Sequence, residues 1–276
     1  MLTFYISLII IAIIAGILGS LLGIGGGIII IPILILLYHI NIKEAIGASI
    51  ISVIATSSGA ASVYLKDQLI NLKAGMFLEI ATTTGAISGA ILLGIINPNI
   101  LFFIFAIVLI ISIYPMLFNK EKDQKDIKND YISEKLELSS SYISNDGINY
   151  KYNMDNTPYG LMMMYIAGLA SGLLGIGSGV FKVIAMDDIM HMPMKVSTTT
   201  SNFMIGVTAL ASSVIYLVKG YINPYLALPV MAGIFLGALI GTRLLKKTSN
   251  NKLKMFFSII LLIIAIEMIL RGSGIL

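Results

Sequence analysis

The sequence predicts an all-α polytopic membrane protein built from two copies of one unit. Apolar residues make up 57% of the 276-residue chain and charged residues only 12%, and the mean hydropathy is +0.95. Apolar runs of about 20 residues, the length of helix that spans a hydrocarbon core, follow one another with short breaks. A shift of the chain by 152 positions also aligns its two halves without a gap. We therefore expect two helical repeats rather than a β-barrel of alternating strands.

Each half is predicted to contain five apolar segments. The first run begins at Met1 without the basic start and cleavage pattern of a signal peptide, so we expect a retained membrane helix. The segments of the first half lie at about 2–22, 28–38, 45–65, 74–95 and 100–118. Those of the second half lie at about 159–175, 180–190, 196–218, 224–245 and 254–270.

A polar stretch separates the halves. Residues 119–157 contain six Lys and eight Asp or Glu together with many Ser, Asn and Tyr. Such a composition is too polar to bury a core, so we expect a solvated connector rather than a domain, and the composition also allows disorder. The predicted organisation is a first membrane repeat at 1–118, a cytoplasmic linker at 119–157 and a second membrane repeat at 158–276.

The two repeats are expected to have inverted topology. Five segments per half is an odd number, which turns the second copy over relative to the first. The assignment places fourteen Lys and Arg on the side of the linker and three on the other. The positive-inside rule then puts the linker in the cytoplasm and both termini outside.

Matching glycine clusters interrupt the apolar segments. Residues 16–27 (GILGSLLGIGGG) align with 168–179 (GLASGLLGIGSG). The segments that follow are only about half a bilayer long at 1.5 Å per residue, which predicts broken or re-entrant helices. Glycine lets a solute approach the main chain, and the N-terminus of a half-helix attracts an anion. Helix packing through small residues four apart is the alternative. The expected substrate-binding residues of the two turns are Gly25, Gly26, Gly27, Gly177, Ser178 and Gly179.

Lys182 adds a charge that the first copy lacks, because its partner in the alignment is Ile30. A lysine deep in the membrane costs about 2.5–3.5 kcal/mol on insertion scales, so a bound anion or a carboxylate would relieve it. We assign it to substrate binding. Snorkelling to the surface or pairing with Asp187 or Asp188 are the alternatives.

Hydroxyl groups follow each broken helix. The second copy is the richer, and both sets could donate to an oxyanion, although membrane Ser and Thr often bond back to their own helix. The candidates are Ser49, Thr199, Thr200, Ser201 and Asn202. Glu79 is a further intramembrane charge and a candidate for proton coupling.

The doubled glycine element, with residues 28–32 and 45–49 that follow its first copy, resembles the sulfite exporter TauE/SafE family of permeases. The resemblance covers nearly the whole chain outside the linker. It implies a plasma-membrane transporter associated with sulfite, sulfonates or related small anions. The second copy departs from the pattern at Ser178, Lys182 and Ile184.

Two other classes compete with a secondary transporter of a small anion. A membrane enzyme could use Ser178 with His191, but no ordered acid accompanies them. The second competing class is a structural subunit, or a permease for a cation or another solute. A cation site calls for a cluster of carboxylates, His or Cys. The chain has no cysteine. The expected partners are a small anion and the lipid bilayer, without nucleic acid, metal or cofactor, and self-association is left open.

Overall fold

The computed structural model describes residues 2–22, 26–64, 69–118, 127–143, 149–245 and 251–275. It confirms an all-α fold whose helices lie close to the predicted segments. Within the described residues, five helices are long and apolar enough to cross a membrane. The first half contains α1 (Leu2–Leu22), α2 (Gly27–Tyr38), α3 (Ile42–Tyr64), α4 (Leu72–Ile95) and α5 (Pro98–Phe118).

The second half repeats this order after a small linker unit. The linker contributes α6 (Tyr131–Lys135), β1 (Ser140–Ile143) and β2 (Asn149–Tyr152). The second half contains α7 (Thr157–Leu174), α8 (Gly179–Val183), a π-helical segment (Ile184–Ile189), α9 (Met194–Val218), α10 (Pro224–Leu245) and α11 (Asn251–Gly272).

Equivalent helices of the two halves make equivalent contacts. Helix α1 packs against α10, and α7 packs against α4. Gly16 of α1 lies against the backbone of Ile234, and Gly168 of α7 lies against the backbone of Thr82. The two contacts are the same pair of positions shifted by 152 residues. Because glycine has no side chain, the helix backbones can touch at these crossings.

The two broken helices also end alike. His39 and His191 both have left-handed backbones, with φ of 53° and 56°. The Ile40 amide donates to the Leu34 carbonyl over 3.1 Å, and the Met192 amide donates to the Met186 carbonyl over 2.8 Å. These are the bonds of a Schellman cap, which satisfies carbonyls at a helix end. The paired histidines therefore close the half-helices. The inversion of the repeats across the bilayer stays a prediction.

The described part of the linker is more ordered than its composition predicts. Strands β1 and β2 pair as an antiparallel hairpin. Leu138, Tyr152 and Met154 are buried in one cluster with side chains of α4, α7, α9 and the π-helical segment, which include Met186. A polar segment can dock when its few apolar side chains face the same way, and an average over the segment hides such a pattern. The described residues of this unit are therefore ordered and partly docked against the repeats, which its composition did not predict.

Asn71, at the start of α4, holds the linker in place. Its side-chain amide donates to the Leu138 carbonyl over 2.7 Å and to the Tyr152 hydroxyl over 2.9 Å. Its backbone amide donates to Thr200 of α9 over 3.1 Å. Burial raises the pKa of Tyr152 to about 12, so its hydroxyl stays neutral at physiological pH. One residue thus joins both repeats and the linker.

Candidate functional site

The two glycine turns meet inside the protein. Gly26 and Gly27 are buried at the start of α2, and a Cβ added to Gly27 would lie 2.9 Å from the Gly175 carbonyl oxygen. The Ser49 hydroxyl donates to the same carbonyl over 2.7 Å. Gly25 lies outside the described residues. The contact between Gly27 and Gly175 brings the two repeats together at the points where their helices are broken.

The second turn has the backbone that its glycines permit. Gly175 and Gly177 have φ of +63° and +74°, and Ser178 is left-handed at φ 47°. A side chain at either glycine would meet neighbouring atoms, so the turn is tightly enclosed. The Ser178 side chain is 1% exposed, and its hydroxyl makes no hydrogen bond in the described structure. A buried hydroxyl without a partner marks a place where a bound solute could supply one.

A charged cluster lies on three helices, with Lys182 and Glu79 at its ends. The side chain of Lys182 is 0% exposed and that of Glu79 is 8% exposed. Lys182 Nζ donates to the Thr208 hydroxyl over 2.5 Å, and that hydroxyl lies 2.6 Å from Glu79 Oε1. Lys182 Nζ is 3.8 Å from Glu79 Oε2. We call Lys182, Thr208 and Glu79 the ion-pair cluster.

The helix arrangement explains how the cluster forms. Helices α4 and α9 run side by side in the same direction, since Asn71 meets Thr200 near their starts and Glu79 meets Thr208 two turns later. Lys182 reaches Thr208 from α8, directly after the second glycine turn. The cluster therefore combines one residue of the first repeat with two of the second.

The run of hydroxyl groups is spread over different faces of α9. Thr199 donates to the Leu69 carbonyl over 2.8 Å, and Thr200 accepts from Asn71. Ser201 donates to the Gly179 carbonyl over 3.1 Å, and the Asn202 carbonyl accepts from Ser57 over 2.5 Å. The structure thus brings Ser49, Ser201, the glycine turns and Lys182 to one region. It places Thr199 and Thr200 at the junction with the loop before α4.

Sequence reasoning missed Thr208 and Thr83. Thr83 donates to Glu79 Oε1 over 3.1 Å and so supports the carboxylate from its own helix. The available signal was that Lys182 and Glu79 are intramembrane charges of opposite sign, which should seek each other. The carboxylate that lies beside Lys182 is thus that of Glu79, whereas the sequence had offered Asp187 or Asp188 as its partner. His191, the base of the enzyme alternative, lies 2.6 Å from Asp155 of the linker.

A polytopic helical bundle with broken helices that meet around buried polar groups is typical of secondary transporters. This architecture defines the class of the protein as a membrane transporter. Residues 8–268 match the family model described as Sulfite exporter TauE/SafE. The chain belongs to this family, whose members are membrane transporters and not enzymes.

Curated relatives agree with this class. The probable membrane transporter protein YunE of Bacillus subtilis (strain 168) is 28% identical over 276 residues, which cover 97% of this chain and 98% of the relative. The probable membrane transporter protein YdhB of the same organism is 26% identical over 83% of this chain and 85% of its own. A probable membrane transporter protein of Haemophilus influenzae is 26% identical over 98% of this chain and all of its own. No solved structure matches the chain.

Proposed function

We propose that the transporter carries a small sulfur oxyanion such as sulfite or an organosulfonate. The observation that carries the proposal is the fully buried ammonium group of Lys182, three residues after an enclosed glycine turn. A buried cation needs a negative partner, and a transported anion can serve as one. The family name supports sulfur oxyanions among the small anions that fit this chemistry.

Other groups of the site suit an oxyanion. The Ser178 hydroxyl is buried in the second turn and has no hydrogen-bond partner among the described residues. Gly27 and Gly175 keep the backbones of the two turns close together, and the Ser49 hydroxyl lies at their contact. An ammonium group and a hydroxyl can both donate hydrogen bonds to the several oxygens of a sulfonate or sulfite, and charge-assisted bonds of this kind are the strong ones. The substrate would lie between the turns and Lys182.

We expect Lys182→Met to reduce anion transport by about tenfold to a hundredfold, the loss of one charge-assisted hydrogen bond to the solute. The measurement is the movement of labelled sulfite, sulfate, thiosulfate and sulfoacetate in proteoliposomes, with and without a pH gradient. The repeat provides a matched control, because Ile30 is the buried equivalent of Lys182. Ile30→Met should retain transport.

Unchanged transport in Lys182→Met would remove this residue from the site. Movement of none of the four anions by the wild-type protein would overturn the proposed substrate class. Correct insertion of both variants is checked by their yield and elution profile in detergent.

We further propose a location in the plasma membrane with the linker in the cytoplasm and both termini outside. The excess of Lys and Arg on the linker side supports this orientation.

A further inference from the structure

We propose that Glu79 competes with the transported anion for Lys182, so that each anion binds together with one proton on Glu79. The inference rests on the proposed function, because it assumes an anion at Lys182. It adds the coupling ion and the number of protons that move with each anion.

The two carboxylate oxygens of Glu79 lie in different environments. Oε1 receives hydrogen bonds from Thr208 and Thr83. Oε2 is buried, lies 3.8 Å from Lys182 Nζ and makes no hydrogen bond in the described structure. The ammonium group is therefore held near the carboxylate mainly through Thr208. An incoming anion could take the ammonium without breaking a bidentate pair.

Charge balance makes the two events depend on each other. With Lys182 charged and Glu79 ionised, the ion-pair cluster is neutral. An anion bound at Lys182 would leave two negative charges facing one positive charge away from water, which is unfavourable. Protonation of the Glu79 carboxylate restores neutrality. By linkage, a proton on Glu79 must then favour anion binding and the anion must favour the proton.

The surrounding helices offer few other charges for this balance. Helices α5 and α7 contain no charged residue. Lys73 and Lys195 lie at the starts of α4 and α9, and Lys43 and Glu44 lie at the start of α3. Asp187 and Asp188 follow Lys182 on the π-helical segment, where Asp187 is buried and both have interactions within the protein. The ion pair that the structure shows at the site is that of Lys182 and Glu79.

The cluster suggests a transport cycle in which the site stays electrically neutral at each step. On one side of the membrane, Glu79 takes a proton from water and releases Lys182 to the anion. On the other side, the anion and the proton leave, and the carboxylate pairs with Lys182 again. The neutral empty site can then return without solute. Anion and proton would move in the same direction.

The repeat predicts the stoichiometry. The residues equivalent to Lys182 and Glu79 in the other half are Ile30 and Met231. The pseudo-symmetric position therefore lacks both charges, so one proton should accompany one anion in each cycle.

The test measures binding of a labelled sulfonate to the purified protein between about pH 5 and pH 7, because the charge of a sulfonate does not change in this range. The wild-type affinity should fall as pH rises, by at most about tenfold per pH unit for one linked proton. Glu79→Gln should bind without pH dependence. Met231→Gln, which places the same residue at the equivalent position of the other repeat without removing a charge, should behave as wild type.

A second readout follows protons. In liposomes with an internal pH dye, an inward sulfonate gradient should acidify the lumen with the wild-type protein. Glu79→Gln should move sulfonate without this acidification. If Glu79→Gln does not elute as a folded protein, Glu79→Met, which introduces the residue of the other repeat, carries the same expectations.

The outcomes separate the two proposals. A wild-type affinity that does not change with pH, or a pH dependence that persists in Glu79→Gln, overturns the inference. In that case the proposed anion site at Lys182 is retained if Lys182→Met still loses sulfonate binding. A wild-type protein that binds no sulfonate at any pH overturns the proposed function and the inference together.

Discussion

Thr208 joins the two opposite charges of the ion-pair cluster through one hydroxyl group. It accepts from Lys182 and lies within hydrogen-bonding distance of both Glu79 and the Met204 carbonyl. An ammonium and a carboxylate 3.8 Å apart are too far for a direct hydrogen bond, so the hydroxyl between them satisfies both. Thr208 is therefore a positioning residue for the site.

We expect Thr208→Val to destabilise the protein by about 1–3 kcal/mol, because both buried charges lose a hydrogen bond. It should also alter the pH dependence of sulfonate binding. Thr208→Ser keeps the hydroxyl and should show the wild-type pH dependence. Thr56 occupies the equivalent position, and its hydroxyl donates to the Ser52 carbonyl of its own helix over 2.9 Å. Thr56→Val should therefore be mild. Thermal unfolding in detergent and the binding assay measure both effects, and equal effects of the two valine variants would contradict this role.

At this scale the sequence could identify the charged residues but not their arrangement. Lys182 and Glu79 stand out because charges are costly in apolar segments. Their partnership depends on how α4, α8 and α9 pack, and Thr208 is one of many hydroxyl residues in the chain. The hydroxyl run likewise could not show where each side chain would point, and the Thr199 hydroxyl lies within hydrogen-bonding distance of the Leu69 and Lys195 carbonyls.

At the scale of elements, glycines decide how closely the helices approach. A Cβ on Gly85 of α4 would lie 2.9 Å from the Leu169 nitrogen of α7, against backbone that cannot move aside. Gly59 of α3 differs, because a Cβ there would have its nearest neighbours at 3.7 Å. The same residue type therefore has different roles in two helices.

We expect Gly85→Ala to destabilise the protein by about 1–3 kcal/mol through overpacking at the crossing of α4 and α7. Gly59→Ala should be neutral or stabilise by up to about 1 kcal/mol, because alanine favours the helix. Thermal unfolding of the purified proteins in detergent compares them. A Gly85→Ala protein as stable as wild type would show that the crossing adjusts without cost.

Local signals explain why most element boundaries could be predicted. Apolar length, the glycine turns and the polar breaks act over a few residues, and the segments 28–38 and 74–95 correspond closely to Gly27–Tyr38 and Leu72–Ile95. The π-helical segment Ile184–Ile189 had no such signal. The hydrophobic pattern of so short a segment does not distinguish a π-helix from the α-helix expected over 180–190.

For the whole molecule, the orientation in the membrane is open to a direct test. The chain has no cysteine, so single cysteines can be introduced without background. Ser141 in the linker hairpin and Ser273 after α11 are both exposed. In intact cells, a membrane-impermeant thiol reagent should label Ser273→Cys and not Ser141→Cys. Opening the cells should expose Ser141→Cys to the reagent.

Labelling of both variants in intact cells, or of Ser141→Cys alone, would contradict the orientation. The inverted repeats add a constraint, because opposite labelling of the two sites requires the odd number of crossings between linker and C-terminus that the topology predicts.

By itself the sequence determined that the protein is a duplicated helical membrane protein of the TauE/SafE family, with helices broken at two glycine clusters. These properties follow from the length of the apolar segments, the positions of the glycines and the sequence similarity to the family, all of which depend on the order of residues alone. Only the tertiary structure decided that the turns meet at Gly27 and Gly175, that Lys182 pairs with Glu79 through Thr208, and that the linker docks through Tyr152. These contacts join residues far apart in the chain, and their energy depends on packing geometry that no local pattern specifies.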